Sequence, residues 1–159
     1  MGLEKPNRYS APIIGIQTVG IMPNDLDRFV EAQVGVFECA IKEITAGKKR
    51  THWMWFVFPQ LRGLGQSEKS HIYGITGLKE ARSYLSHPLL GPRLQQATGC
   101  VLEVHTPRSE VFGAIDQQKF VSCMTLFSAA SLPDSIFNRA LHIFSVIDKR
   151  TVEMLGEEE

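Results

Sequence analysis

The chain has 159 residues, of which 43% are hydrophobic and 21% charged, and this is the size and composition of one globular domain. Lysine and arginine together number 17, as do aspartate and glutamate. The protein as a whole therefore has no charge that would draw it to polyanions, and general nucleic-acid binding is not expected. No apolar run approaches the roughly 20 residues of a bilayer-spanning helix, so no membrane span is predicted.

Cysteine and histidine usage bears on cellular location and on metal binding. The cysteines at 39, 100 and 123 are far apart and show no CxxC or Cys/His spacing, so they are predicted to be buried free thiols. Residues 1–6 lack the basic start and compact apolar segment of a secretory signal. Together these features predict a cytoplasmic protein. The histidines form no HxxxH or HExxH pair, so no metal site is expected. No redox or group-transfer motif is visible, so no cofactor is expected.

The first strong helical pattern follows an N-terminal arm. Residues 1–23 contain three prolines and three glycines without helical spacing, and they are predicted to be extended. From Leu26 to Ile44, apolar residues recur at three- and four-residue spacing, which predicts one amphipathic helix that ends at Gly47. Gln33 lies on the apolar side of this helix. It is therefore predicted to be buried and hydrogen-bonded, within the protein or to a ligand.

The next element is an aromatic segment that contains both tryptophans of the chain. Residues 53–58 are too apolar on every side for a surface helix, so they are predicted to be mostly buried and to end at Pro59. Trp55 is predicted to border a pocket, because tryptophan faces beside cations are common walls of sites for planar or anionic ligands. The polar residues predicted to emerge from the core at the ends of this segment are His52, Gln60 and Arg62.

A glycine-containing stretch follows and allows two interpretations. Gly63, Gly65 and Ser67 have the composition of a plain turn, with Ser67 as the cap of the next helix. The same residues could also bring backbone amides close to a phosphate group at a helix start. Two glycines at this spacing are compatible with both.

The remainder of the chain is also helical in pattern. Helical apolar spacing recurs in segments that start near Thr76, Pro88, Ile115 and Pro133. The sequence therefore predicts an all-α fold, a compact single-domain bundle of about six or seven helices. The helical domain is predicted to span residues 24–156, with an acidic tail at 157–159.

Asp116, Lys119 and Ser122 follow one another at three-residue steps, opposite the apolar residues of their helix. The plain interpretation is a solvated helix face with a modest ion pair. The alternative is a polar site in which Lys119 pairs with a negatively charged ligand and Asp116 acts as an acid or base.

Several motifs resemble the family known as domain of unknown function 1810. The motifs are DLxRFVxAQ at 25–33, HWMWFVFPQL at 52–61, GLGxS at 63–67 and EAxxYLxHPLLGxRL at 80–94, with later matches at Lys119, 125–127, Asp148 and Thr151. The resemblance covers about residues 24–156 and implies a mainly helical domain without an established reaction. Some family members are labelled calpastatin. Protease inhibition is not expected, because calpastatin proper resembles a disordered repetitive inhibitor and this chain has core-forming helices.

Three functions remain open from the sequence. The first is a pocket for an anionic, partly aromatic small molecule such as a nucleotide, with Gln33, Trp55, Gln60, Arg62, Ser67 and Lys119 as ligand-binding residues. If this domain is an enzyme, hydrolysis is the expected chemistry, with His52 and Asp116 as its catalytic groups. The second is a protein-interaction module without catalysis. The third is a structural domain whose polar residues satisfy one another.

Overall fold

The structure, a computed structural model, describes residues 25–157. The predicted N-terminal arm and the last two residues of the predicted tail lie outside this range. Helices account for 66% of the described residues, and no strand is present among them. A single parallel bridge joins Leu61 to Ile75. The predicted all-α fold is confirmed, and no helix within the described range is long and apolar enough to cross a membrane.

Residues 25–157 form nine helices, more than the six or seven predicted. They are α1 (Asp27–Gln33), α2 (Phe37–Thr45), α3 (Met54–Val57), α4 (Glu68–Ile72), α5 (Leu78–Ser86), α6 (Leu90–Glu103), α7 (Arg108–Ala129), α8 (Ile136–Phe144) and α9 (Lys149–Glu157). The additional helices come from one break in a predicted helix, from the five-residue helix α4 and from α9, which follows the last predicted helix.

The break lies at Gly35, between α1 and α2. This glycine has a φ of 71°, a left-handed conformation that most residues avoid, and the preceding Val34 is already extended. Phe29 and Ile44, on either side of the break, are both fully buried. The apolar pattern therefore continues through the break, because both helices face the same core.

The last helix begins at a cap that the sequence contains. The Asp148 Oδ2 atom accepts a hydrogen bond from the Thr151 backbone N–H at 2.9 Å, which satisfies a free donor at the start of α9. An aspartate immediately before helical apolar spacing is a start signal.

In α7, Gly113 has a φ of 82° and interrupts the helix, close to the predicted start at Ile115.

Aromatic rings fill the centre of the bundle. The Phe58 ring makes edge-on contacts with Phe112 and Phe120, with ring centroids 6.0 and 5.2 Å apart. The Trp53 side chain is fully buried, as predicted. Edge-to-face packing of this kind adds to the stabilisation that burial of the rings provides.

The prediction of buried cysteines is correct for one of the three. Cys123 is buried, Cys100 is half-buried and Cys39 is exposed. The prediction is wrong for Cys39 because its apolar neighbours Phe37 and Ala40 occupy the core-facing side of α2, whereas position 39 faces away from the core. The Cys39 thiol lies 3.3 Å from the Glu43 carboxylate and donates to it.

His87 supplies a pH-dependent contact at the start of α6. Its Nδ1 atom accepts hydrogen bonds from the backbone N–H groups of Leu89 and Leu90, at 3.1 and 3.3 Å. Burial lowers the pKa of His87 from its usual 6.5. Since only the neutral ring can accept at Nδ1, this contribution to stability is complete above pH 6.5 and is lost as the pH falls through the lowered pKa.

We therefore expect His87→Ala to lower the free energy of unfolding at pH 8 by about 1 kcal/mol, the usual cost of losing a helix-capping acceptor. His87→Asn, whose side-chain oxygen is also an acceptor, should retain most of the stability and should show less loss than wild type between pH 7 and 5. Chemical denaturation at these pH values measures both effects. Equal loss in the asparagine and alanine variants would contradict a capping role for His87.

Candidate functional site

An open cleft of about 570 Å³ lies where α3, the segment 60–65, α7 and the start of α9 meet. Sites for small molecules usually have volumes of about 300–1,000 Å³, so the cleft has the size of such a site. The lining residues that carry polar or aromatic groups are Trp55, Gln60, Gln118, Lys119, Ser122, Asp148 and Arg150.

A lysine lies over an aromatic face in the wall of this cleft. The Lys119 Nζ atom is 4.2 Å from the centroid of the Trp55 ring, and both side chains are half-buried. Trp55 is part of the short helix α3, and Lys119 projects from the middle of α7. The contact has the geometry of a cation–π interaction.

One carboxylate holds Lys119 and a second lysine. Asp116 Oδ1 lies 3.2 Å from Lys119 Nζ, and Asp116 Oδ2 lies 2.9 Å from Lys49 Nζ. Lys49 is itself placed over the buried ring of Trp53, with its Nζ 5.1 Å from the ring centroid. The two tryptophans are therefore each covered by a lysine, and Asp116 connects the two lysines.

Asp116 stays ionised in this cluster. Burial alone would raise its pKa, but hydrogen bonds and positive charge from Lys49, and then from Lys119, outweigh burial and lower the pKa. Two ammonium groups face one carboxylate, so one positive charge in the cluster is not compensated. This excess charge lies at the cleft, because Lys119 lines it.

Asp148 borders the cleft on the side of α9, but its carboxylate oxygens already have partners. Oδ1 accepts from Gln118 Nε2 at 3.1 Å, and Oδ2 accepts from the Thr151 backbone N–H and from its hydroxyl. The Asp148 backbone N–H donates to Thr125 Oγ1 at 2.9 Å. These contacts join α7 to α9 and fix that wall of the cleft.

Four of the residues that the sequence assigns to a site come together. Trp55, Gln60 and Lys119 line the cleft, and Asp116 contacts it through Lys119. The sequence did not lead to the assignment of Lys49 to the site. A signal was present, because Lys49 lies a few residues before both tryptophans and cations often pack on tryptophan rings.

Gln33 lies outside the lining of the cleft. It is buried, as predicted, and its Nε2 atom donates to the Phe56 carbonyl at 2.7 Å. Its Oε1 atom accepts from Arg93 Nη1 at 3.1 Å. The partners of Gln33 are thus protein groups, and they join α1 to α3 and α6.

The other candidate residues also lie outside the lining of the cleft. His52 is exposed on the loop before α3. Ser67 caps α4, since its Oγ atom accepts from the Ser70 backbone N–H at 3.1 Å. Arg62 is half-buried, and its Nε atom is buried without a hydrogen-bond partner in the described part of the chain.

Comparisons with known proteins identify relatives without a stated activity. A family model described as "Protein of unknown function (DUF1810)" matches residues 23–155. The chain is similar to the conserved hypothetical protein Rv1873 from Mycobacterium tuberculosis, whose crystal structure was determined at 1.38 Å. The two are 48% identical with a TM-score of 0.81, and the match covers 85% of this chain and 99% of that one. No curated protein matches the chain.

Proposed function

The chain belongs to the DUF1810 family of proteins of unknown function, and we propose that its cleft binds an anionic, partly aromatic small molecule such as a nucleotide. The observation that carries this proposal is the position of Lys119 Nζ, 4.2 Å from the Trp55 ring in the wall of an open cleft. Trp55 offers a flat apolar surface to a ring, and Lys119 offers a positive charge to an anionic group.

The charge balance of the cluster supports an anionic ligand. A lysine and an aspartate that paired only with each other would be an ordinary surface ion pair. Here Lys49 contacts the same carboxylate at 2.9 Å, so Asp116 only partly neutralises Lys119. Arg150, which is exposed, adds a second cation to the lining, and Asp148 adds a carboxylate, so three cations and two carboxylates leave one net positive charge at the cleft. The local field at the cleft therefore favours a negatively charged group.

Binding without hydrolysis is the function that the geometry favours. Asp116 is ionised and so could act only as a base, but the lysines that lower its pKa make it a weak base toward water. His52, the other proposed catalytic residue, is exposed and is not part of the cleft lining. A test for release of phosphate or base from each bound probe decides whether hydrolysis accompanies binding.

A peptide is the second candidate ligand, and one residue favours it. Ile115 lines the cleft and is 74% exposed, which suits contact with an apolar side chain of a protein partner. If Ile115→Asp retains nucleotide binding but loses peptide binding, Ile115 serves a peptide partner, whereas Trp55 and Lys119 serve the nucleotide.

We expect adenosine 5′-monophosphate to raise the thermal stability of the wild-type protein. A ligand at 100 times its dissociation constant adds about 2.7 kcal/mol to the free energy of unfolding. Lys119→Met should remove this stabilisation, and Trp55→Leu should reduce the affinity to that of ribose 5-phosphate, which has no ring. Calorimetric titration measures both affinities.

Lys79→Met is the matched control, because Lys79 is exposed on α5 and does not line the cleft. This variant should bind as the wild type does. Equal stabilisation of the Lys119→Met and wild-type proteins by the nucleotide would overturn the proposal.

A further inference from the structure

Gln60 is a buried residue whose side-chain amide has no partner in the described part of the chain. It lines the cleft and is only 8% exposed, yet its amide forms no hydrogen bond with any of residues 25–157. Among the described residues, the buried side-chain atom that lacks a hydrogen-bond partner is Arg62 Nε, so the amide atoms of Gln60 are in contact with the solvent of the cleft. They are therefore accessible to a ligand in the cleft and are not committed to a protein partner.

Hydrogen bonds hold the backbone of Gln60 at the edge of the cleft. The Gln60 carbonyl accepts from the Ile75 backbone N–H at 2.9 Å, and the Arg62 backbone N–H donates to the Ile75 carbonyl at 2.8 Å. Gly74 permits this close approach, since a Cβ atom at that position would lie 2.6 Å from the Arg62 Cα atom. The main-chain position of Gln60 is thus set before any ligand binds, so only side-chain freedom remains to be lost when a ligand contacts the amide.

The second amide of the cleft lining differs from Gln60 in its exposure and in its hydrogen bonding. Gln118 is exposed, and its Nε2 atom already donates to Asp148. Ser122, the hydroxyl in the lining, donates to the Gln118 backbone carbonyl at 3.1 Å. Of these three polar side chains, Gln60 has the amide whose donors and acceptor are all available to a ligand.

We propose that Gln60 determines the specificity of the cleft by recognising an amide-like edge on the ligand ring, in which one hydrogen-bond donor lies beside one acceptor. This inference rests on the proposed function and narrows its ligand class. A primary amide presents a carbonyl acceptor and an N–H donor in one plane, so it pairs with such an edge through two hydrogen bonds. The amino group and adjacent ring nitrogen of adenine form such an edge, as does the carboxamide of nicotinamide.

The test compares matched probes that differ only at this edge. Adenosine 5′-monophosphate is paired with purine riboside 5′-monophosphate, which lacks the amino group, and nicotinamide mononucleotide with 3-acetylpyridine mononucleotide, which has the same charge but lacks the N–H donor. In at least one pair the wild type should bind the amide-like probe about tenfold or more tightly. Gln60→Met, which keeps the length of the side chain, should reduce that ratio to near one and leave the affinity for ribose 5-phosphate unchanged.

The control variant is Gln95→Met, at an exposed position on α6 outside the cleft lining, and it should keep the wild-type ratio. Gln60→Met should also unfold at the wild-type temperature, because no internal hydrogen bond is lost. A markedly lower unfolding temperature, or an unchanged ratio, would overturn the inference. If the probes bind through Lys119 without any preference for the edge, the inference fails and the proposed function stands. If none of the probes binds the wild type, both fail.

Discussion

Replacing Arg28 with alanine should lower the free energy of unfolding by about 3–5 kcal/mol, the cost of removing one partner of a buried ion pair. The Arg28 guanidinium contacts both carboxylate oxygens of Glu80, at 3.1 and 3.3 Å, and the two side chains are only 11% and 12% exposed. It also donates to the Ile72 and Gly74 carbonyls, both at 2.7 Å. The variant would remove the donor from both carbonyls and from Glu80 Oε2, whereas Glu80 Oε1 would keep the two donors of Thr76.

Arg28→Lys should recover part of the loss, because it keeps the charge but lacks the planar donors that serve two carbonyls and a carboxylate together. Arg82→Ala, at an exposed site on α5, should change stability by less than about 0.5 kcal/mol. Urea denaturation followed by circular dichroism measures all three. A loss below about 1 kcal/mol for Arg28→Ala, less than the usual range for a broken buried pair, would show that Glu80 finds other partners.

The second large effect is expected at Glu43, which organises the basic loop before α3. Burial alone would raise the pKa of Glu43. Four donors oppose this effect, namely the Arg50 N–H, the Thr51 hydroxyl and N–H, and the Trp53 indole N–H. Together they lower the pKa from 4.5 to about 2. We expect Glu43→Gln to lower the free energy of unfolding at pH 7 by about 3 kcal/mol at most, given 1.36 kcal/mol for each pKa unit.

The pH dependence gives this prediction a specific signature. Because the pKa is lower in the folded state, the contribution of Glu43 is complete above pH 4.5 and is lost as the pH falls toward 2. The stability of wild type should therefore fall more steeply than that of Glu43→Gln within this window. Glu38→Gln on the same helix, at a side chain that is 69% exposed, should follow the wild type. Parallel curves for wild type and Glu43→Gln would refute the assignment.

The helical class was predictable because core-facing residues must recur with the helical period. The helix count was not, because a break such as that at Gly35 changes the backbone without changing which residues face the core. The same reasoning placed Gln33 inside but could not name its partners. Those partners, the Phe56 carbonyl and Arg93, come from other helices and are neighbours only after folding.

The candidate site was predictable only in part, for a related reason. Trp55, Gln60 and Lys119 were chosen because their chemistry suits a ligand, and all three line the cleft. Lys49 was not chosen, since its role depends on contact with Asp116, which lies far away in the sequence. Local composition shows which residues can bind a ligand, but the tertiary fold decides which of them share a surface.

The two tryptophans give the chain a pair of natural optical probes. Trp53 is fully buried and its indole N–H donates a hydrogen bond to Glu43, whereas Trp55 is half-buried in the wall of the cleft. The difference in fluorescence between wild type and a Trp55→Phe variant therefore isolates the emission of the cleft indole. A ligand that enters the cleft would change the emission of one indole and leave that of the other almost unchanged, so occupancy and unfolding could be followed separately in one unlabelled sample.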